Sequence, residues 1–340
     1  MNKFTKTVTL DDVARTAGVS KSTVSYVLSG KKSISKEVCE TVYNVIEELG
    51  YKPRVSTPRL SRKLKVLCFC IPLQSEGDFG QDSYHLPLLE GAHAAAGEAG
   101  YELSIHPLIF NSSSAELFFQ NLPLYDGVIL GNLWGDHRFR NAVQEAGIPY
   151  VYYGSPETEE QDSTFFVDVD VVGAGYQASR YLIEKGHRNI FYVEMSDEMI
   201  QSRKHVEGYR TAHEEYGVPW REENLAHARV NMDECQELAG RILGEREEIT
   251  AFVAVNDVMA RGLLLAFMGA GVPVPGKIAV LSMGGTLTAR DSIPKLTSVD
   301  YHPHLNGRTA VEMLVDVIEK RRLQPSHILI PATMVERDTA

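Results

Sequence analysis

The sequence predicts a small three-helix unit at the amino terminus, followed by a much larger α/β module of parallel sheets flanked by helices. Three observations carry this. Ala14, Gly18 and Val24 stand at the spacing that a tight turn between two crossing helices requires; from Lys65 onward short β-branched or aromatic runs alternate with amphipathic stretches; and the charge divides sharply between the two parts.

In the first unit, Thr9 followed by Leu10, Asp11 and Asp12 reads as an N-cap with acidic residues in the first helical turn, where the helix dipole favours them. Leu10, Val13, Ala14 and Ala17 recur at helical spacing, and Gly18 ends the helix. Ser20 caps a second helix with Val24, Val27 and Leu28 inward, and Ser35 caps a third carrying Val38, Val42, Val45, Ile46 and Leu49. Helices crossing through a three-residue turn need a small side chain at the approach, a residue tolerant of positive φ, and an apolar plug. Ala14, Gly18 and Val24 supply these in order. Lys21, Ser22, Ser25 and Tyr26 remain on the outer face of the second helix, able to reach base edges or phosphates from a major groove.

The charge pattern agrees. The whole chain of 340 residues carries −11, but residues 1–65 hold 13 Lys+Arg against 6 Asp+Glu, a balance of +7, which leaves −18 for the other 275. A basic head on an acidic body is expected where only the head meets phosphate. The four cysteines, Cys39, Cys68, Cys70 and Cys235, are too few and scattered for a disulfide framework, and Cys68 and Cys70 alternate inside an apolar run as core residues on one side of a strand. No apolar run reaches the length of a spanning helix and no apolar signal segment opens the chain, so a cytoplasmic location is expected.

Strands are expected at 66–71, 102–107, 127–131, 149–153, 189–194, 251–255 and 278–283, with helices between them, among them 88–99, 175–185, 205–216, 258–269 and 305–320. Such parallel sheets bind ligands at the carboxyl ends of their strands.

The stretches TLDDVARTAGVSKSTVSYVLSG and ISKEVCETVYNVIEELGYKP resemble the headpiece of the lactose-repressor (LacI/GalR) family of transcriptional regulators, densely over residues 7–53 and more loosely to Arg337. The resemblance implies an all-α helix-turn-helix headpiece (1–52), a hinge (53–64) and an α/β two-lobed, periplasmic-binding-protein-like effector and dimerisation domain (65–340). Its amino-terminal lobe would take about 65–168 and 303–326, its carboxy-terminal lobe about 169–302 and 327–340. By position, Lys21, Ser22 and Tyr26 fall where the family reads bases, and Thr9, Ser20, Ser25 and Ser35 where it touches the backbone. Leu60 stands at the leucine that the family wedges into the minor groove. Pro58 and Arg59 interrupt the usual hinge, and a short helix capped by Thr57 or a basic tether fits the composition.

The resemblance further implies a homodimer on an operator with two-fold symmetry, repressing transcription under control of a small molecule between the lobes. The effector contacts depart from the family. Gly284 stands where an Asp grips sugar hydroxyls, His205 where an Arg is usual with Arg203 two residues earlier, and Gly154 where some members have Asp. Tyr84, Trp134, Tyr152 or Tyr153, Asn256 and Asp257 remain as cleft residues, and the effector could be an atypical sugar, another metabolite or a protein partner.

An enzyme is the rival reading. Gly173, Gly175 and Ala178 imitate a dinucleotide fingerprint, but Asp168 and Asp170 lie in the strand before them, where a Rossmann strand is buried on both faces. Nucleophile-elbow, P-loop and HExxH motifs are absent, and His302 and His304 lack a third ligand. No catalytic residue, metal or cofactor is expected.

Overall fold

The computed structural model describes residues 8–29, 34–49, 51, 64–73, 84–109, 113–131, 137–156, 158–197 and 199–340. The hinge over 53–64, including Leu60 apart from its last residue, and Trp134 lie outside them. The chain divides into two compact units, Met1–Lys63 and Leu64–Ala340.

The first unit contains α1 (Leu10–Thr16), α2 (Lys21–Ser29) and α3 (Lys36–Leu49). Thr9 begins α1 through a capping box: Asp12 N donates to Thr9 Oγ1 (3.4 Å) while Thr9 N donates to Asp12 Oδ2 (3.0 Å). Gly18 adopts φ +66°, which a glycine tolerates without strain. Ala14 and Val24 lie in the small core with Val13, Val27, Val42 and Val45.

The second unit holds two six-stranded sheets. One joins β1 (Val66–Leu73), β2 (Glu102–Ile109), β3 (Gly127–Gly131), β4 (Tyr150–Tyr153), β5 (Phe166–Val169) and β11 (His327–Ile330) in the order β11-β5-β4-β3-β1-β2, all parallel. The other joins β6 (Ile190–Glu194), β7 (Leu225–His227), β8 (Ala251–Ala254), β9 (Ala279–Gly284), β10 (Thr297–Asp300) and β12 (Thr333–Val335) in the order β12-β10-β9-β8-β6-β7. Only β12 runs antiparallel to its neighbour.

Both sheets are covered on two faces, so their strands read as apolar runs. On the first, α4 (His85–Glu98) and α12 (Pro303–Ile318) lie over Leu67, Phe69 and Ile71, and α5 (Ser113–Asn121) and α6 (Arg138–Glu145) over Cys68, Cys70 and Tyr152. The two thiols are fully buried, as their alternation in β1 implies. On the second, α7 (Val171–Glu184) and α8 (Ile200–Glu215) take one face, α9 (Met232–Glu245) and α10 (Asp257–Gly269) the other, and α11 (Leu287–Asp291) follows β9. Of the imitation fingerprint's glycines, Gly173 donates its N–H to the Asp170 cap (2.9 Å) and Gly175 serves helix packing: a Cβ on Gly175 would collide with the His205 backbone, and one on Gly208 of α8 with the Val172 carbonyl, so α7 and α8 meet backbone to backbone.

The chain crosses between the lobes after Val169, after Asp300 and after Ile330. The third crossing corrects the boundary expected at 326/327. His327–Ile330 pairs in parallel with Phe166–Val169 and completes the first sheet, and only β12 returns to the second.

Within the carboxy-terminal lobe, His213 is buried, with Tyr192 Oη on its Nε2 (2.8 Å) and the Val218 carbonyl on Nδ1 (3.2 Å). Burial lowers its pKa from the ordinary 6.5. A depressed histidine contributes stability that is present above its unfolded pKa and lost as pH falls through the folded one. His213→Phe is therefore expected to reduce the loss of urea stability on going from neutral pH to below 6.5; an unchanged slope would show that His213 does not titrate with unfolding.

Candidate functional site

The outer surface of α2 is built by its own periodicity. At roughly 100° per residue, Lys21, Ser22, Ser25 and Tyr26 share one arc, and Val24 and Val27 fall on the opposite one. All four outer residues are exposed. Ser20 caps this helix, its Oγ accepting from Thr23 N at 3.0 Å. Lys21 Nζ reaches Asp11 Oδ2 at 2.7 Å, with both side chains more than half exposed. Such a pair contributes little, so the ammonium is released to a stronger acceptor at small cost. Thr9, Ser20 and Ser35 are also exposed; the first two hydroxyls already serve as caps.

In the second unit, a cavity of about 620 Å³ opens at the carboxyl ends of both sheets. Leu73 and Gly131 reach it from β1 and β3, Met195 and Val255 from beyond β6 and β8. These are the points where strand order reverses, the usual place for a ligand in such sheets.

Of the residues expected in the cleft, Tyr84, Tyr153, His205, Asn256 and Asp257 line this cavity, as does Gly154. Tyr152 faces the opposite side of the sheet, where burial raises its pKa to about 12. Arg203 is exposed, donates to the Asp197 carbonyl at 3.1 Å, and does not line the cavity. Asn256 serves the fold as well: it is the N-cap of α10, accepting from Met259 N at 2.9 Å.

The polar groups around the cavity are bonded mainly to one another. Asp257 accepts from Ser282 Oγ (2.6 Å), Thr286 N (2.7 Å) and Thr286 Oγ1 (2.6 Å). Asp168 accepts from Ser155 N and Oγ (2.8 and 2.6 Å) and from Val169 N (2.8 Å). Burial raises both carboxyl pKa values, against the pull of these donors. Lys204, on α8 of the other lobe, donates to Ser155 Oγ at 2.9 Å and so sets its positive charge beside Asp168.

A second chain of contacts runs from Glu194. Its carboxylate accepts from Tyr209 Oη (2.6 Å) and faces His205 Nδ1 (3.3 Å). The acceptor fixes the tautomer: Nδ1 carries the proton, leaving Nε2 to accept from Tyr301 Oη at 2.8 Å. Burial holds Tyr301 protonated, its pKa well above the phenol value, with Glu194 adding to the shift. Tyr84 and Tyr153 share a hydroxyl contact of 2.6 Å.

Met195, Met199, Gln201, Arg229, Asn231 and Tyr301 also line the cavity and were not expected there. Most stand just past a strand end or at a helix start, in segments whose spacing carries no sequence signal. Only Asn231 announces itself, as an N-cap before Asp233 and Glu234.

The fold and these two surfaces define a helix-turn-helix unit attached to a two-lobed body of the periplasmic-binding-protein kind. Residues 9–54 match the lacI family of bacterial regulatory proteins, and residues 179–340 match the periplasmic binding protein-like domain. The two matches together make the domain pairing of the lacI family of transcriptional regulators. The chain is 28% identical to the HTH-type transcriptional regulator CelR of Thermobifida fusca over 97% of this chain and 98% of that protein. Catabolite control protein A of Priestia megaterium is 29% identical over 95% and 96% of the two chains. The structure of a CelR–cellobiose complex superposes with a TM-score of 0.75 at 28% identity, covering 98% of this chain and all of that one. These relatives are regulators, and the chain is a regulator rather than an enzyme. No helix among the described residues is long and apolar enough to cross a membrane.

Proposed function

We propose that the protein is a cytoplasmic, dimeric repressor whose affinity for a two-fold symmetric operator is set by a small molecule held between the lobes. The outer arc of α2 carries this reading. Lys21, Ser22 and Tyr26 read base edges in the major groove, and Thr9, Ser20, Ser25 and Ser35 hold the phosphate backbone. Residues 1–52 form the headpiece and 53–64 the hinge, with Leu60 as its wedge in the minor groove. Residues 65–340 hold the effector and pair the two copies.

The cavity supports the second half of the reading, because both lobes line it and closure around a ligand changes their relation. A ligand shifts DNA affinity only by its differential binding to the two lobe arrangements. Tyr84, Tyr153, His205, Asn256 and Asp257 bound the effector or shape its wall; CelR takes cellobiose in its own structure.

The test is fluorescence anisotropy on a duplex selected by the full-length protein. Lys21→Ala is expected to weaken the selected duplex by about 10- to 100-fold while random duplex is affected far less. Equal losses on both duplexes would mean that Lys21 contacts phosphate only.

A further inference from the structure

We propose that the inter-lobe cavity is built for an uncharged, mostly apolar ligand that donates a hydrogen bond at one end, an aromatic amine or phenol in chemical class. This rests on the reading of the cavity as the effector site, and names what that site selects.

The walls come first. Phe69, Ile71 and Leu88 bound the cavity from one lobe, and Met195, Met199 and Met283 from the other. Thioethers are polarisable, have no fixed shape and pack well against aromatic edges. The volume of about 620 Å³ accommodates two or three fused or linked rings.

Among the described residues, the buried carboxylates are already spent. Recognition of sugar hydroxyls relies on carboxylates that offer paired lone pairs, whereas Asp168 and Asp257 each take three hydrogen bonds from their own surroundings. Glu194 is held by Tyr209 and His205. A free sugar would bury hydroxyls against Met and Phe with few partners, which costs free energy. An anion fares worse, since it would enter beside these buried carboxylates. Of the cations nearby, Lys204 sits on Ser155 next to Asp168, and Arg229 lies on the exposed side with Glu234 at 3.0 Å.

Among the described residues, Gln201 supplies a polar atom for the ligand. Gln201 Oε1 is buried at the cavity without a hydrogen-bond partner. A buried acceptor left unsatisfied is costly, and a ligand N–H or O–H relieves it.

A pair of dyes isolates the claim. N-phenyl-1-naphthylamine is uncharged, aromatic and carries one N–H; 8-anilinonaphthalene-1-sulfonate has the same body plus a sulfonate. Titrated into the full-length protein, the uncharged dye is expected to bind saturably, one per chain, at least about tenfold more tightly than the sulfonate. Met199→Asp is expected to weaken it by a similar factor. That residue is the N-cap of α8, where Asp is favourable, so the fold is kept; Val230→Asp at the half-buried rim is the second variant. Gln201→Leu should cost a few-fold.

The proposal is overturned if the uncharged dye does not saturate, if the sulfonate binds equally well, if neither Asp variant weakens binding, or if millimolar cellobiose or choline displaces the dye. Operator binding by the same preparation separates the two levels. A chain that holds its duplex but ignores the dye sinks only the ligand class, whereas one that takes the dye but prefers no duplex sinks the regulator.

Discussion

Gly307→Ala is expected to lower the stability of the body by about 3 kcal/mol, the upper end of an overpacking penalty, in urea denaturation followed by circular dichroism. A Cβ at Gly307 would fall on the Leu88 carbonyl oxygen, and one at Gly91 on the His304 carbonyl oxygen, so α4 and α12 approach backbone to backbone at two places. Neither backbone can move aside without lifting α12 from the core it forms with Leu67, Phe69 and Val151. Ala is the better helix former by about 1 kcal/mol. The sign of the change therefore decides the matter: a more stable variant would mean that the helices stand further apart than described.

The second large effect is expected at Asp257. Removing its side chain leaves Ser282 Oγ, Thr286 N and Thr286 Oγ1 without their acceptor in a buried site. At about 1–3 kcal/mol for each unsatisfied donor, and with partial relaxation, Asp257→Ala should cost about 4 kcal/mol. The turn held by these bonds contains Gly284 and Gly285, both at positive φ. A carboxylate at position 284 would sit against Asp257, since a Cβ there already comes within 3.1 Å of its Oδ2. The missing family Asp and the internally bonded Asp257 thus belong to one local arrangement.

Asp257 also has a pH signature. Burial raises its folded pKa above the unfolded value, so its contribution to stability is full below the unfolded pKa and is lost as pH rises through the folded one. Asp257→Asn should keep most of the bonds and flatten this dependence on the acid side. A steeper profile in the Asn variant would reverse the assigned shift.

Much of this was legible in the residues. Thr9 with Asp12, Ser20 with Thr23, and Ala14, Gly18 and Val24 encode the first unit through contacts only a few residues apart. The seven expected strands are all present because buried parallel strands are written as apolar runs. Strands β7, β10, β11 and β12 are only three or four residues long. Their existence depends on non-local partners, and His327–Ile330 was assigned to the wrong lobe for that reason. The cavity was legible in part: Tyr153 and His205 are on strand ends or helix faces that the pattern locates. Tyr301 enters at the second crossing and Gln201 at the first turn of α8, and nothing in their local sequence marks them. Asn256 shows a further limit, since one side chain both caps a helix and lines the site.

The most direct measurement is selection of duplexes from a random pool by the full-length protein, followed by anisotropy on the recovered sequence at moderate salt. The account predicts a palindromic site bound by two copies, preferred over random duplex by at least about a thousandfold, with the preference lost in a Lys21→Ala, Tyr26→Ala double variant. Recovery of no common sequence, with equal affinity for every duplex, would contradict it.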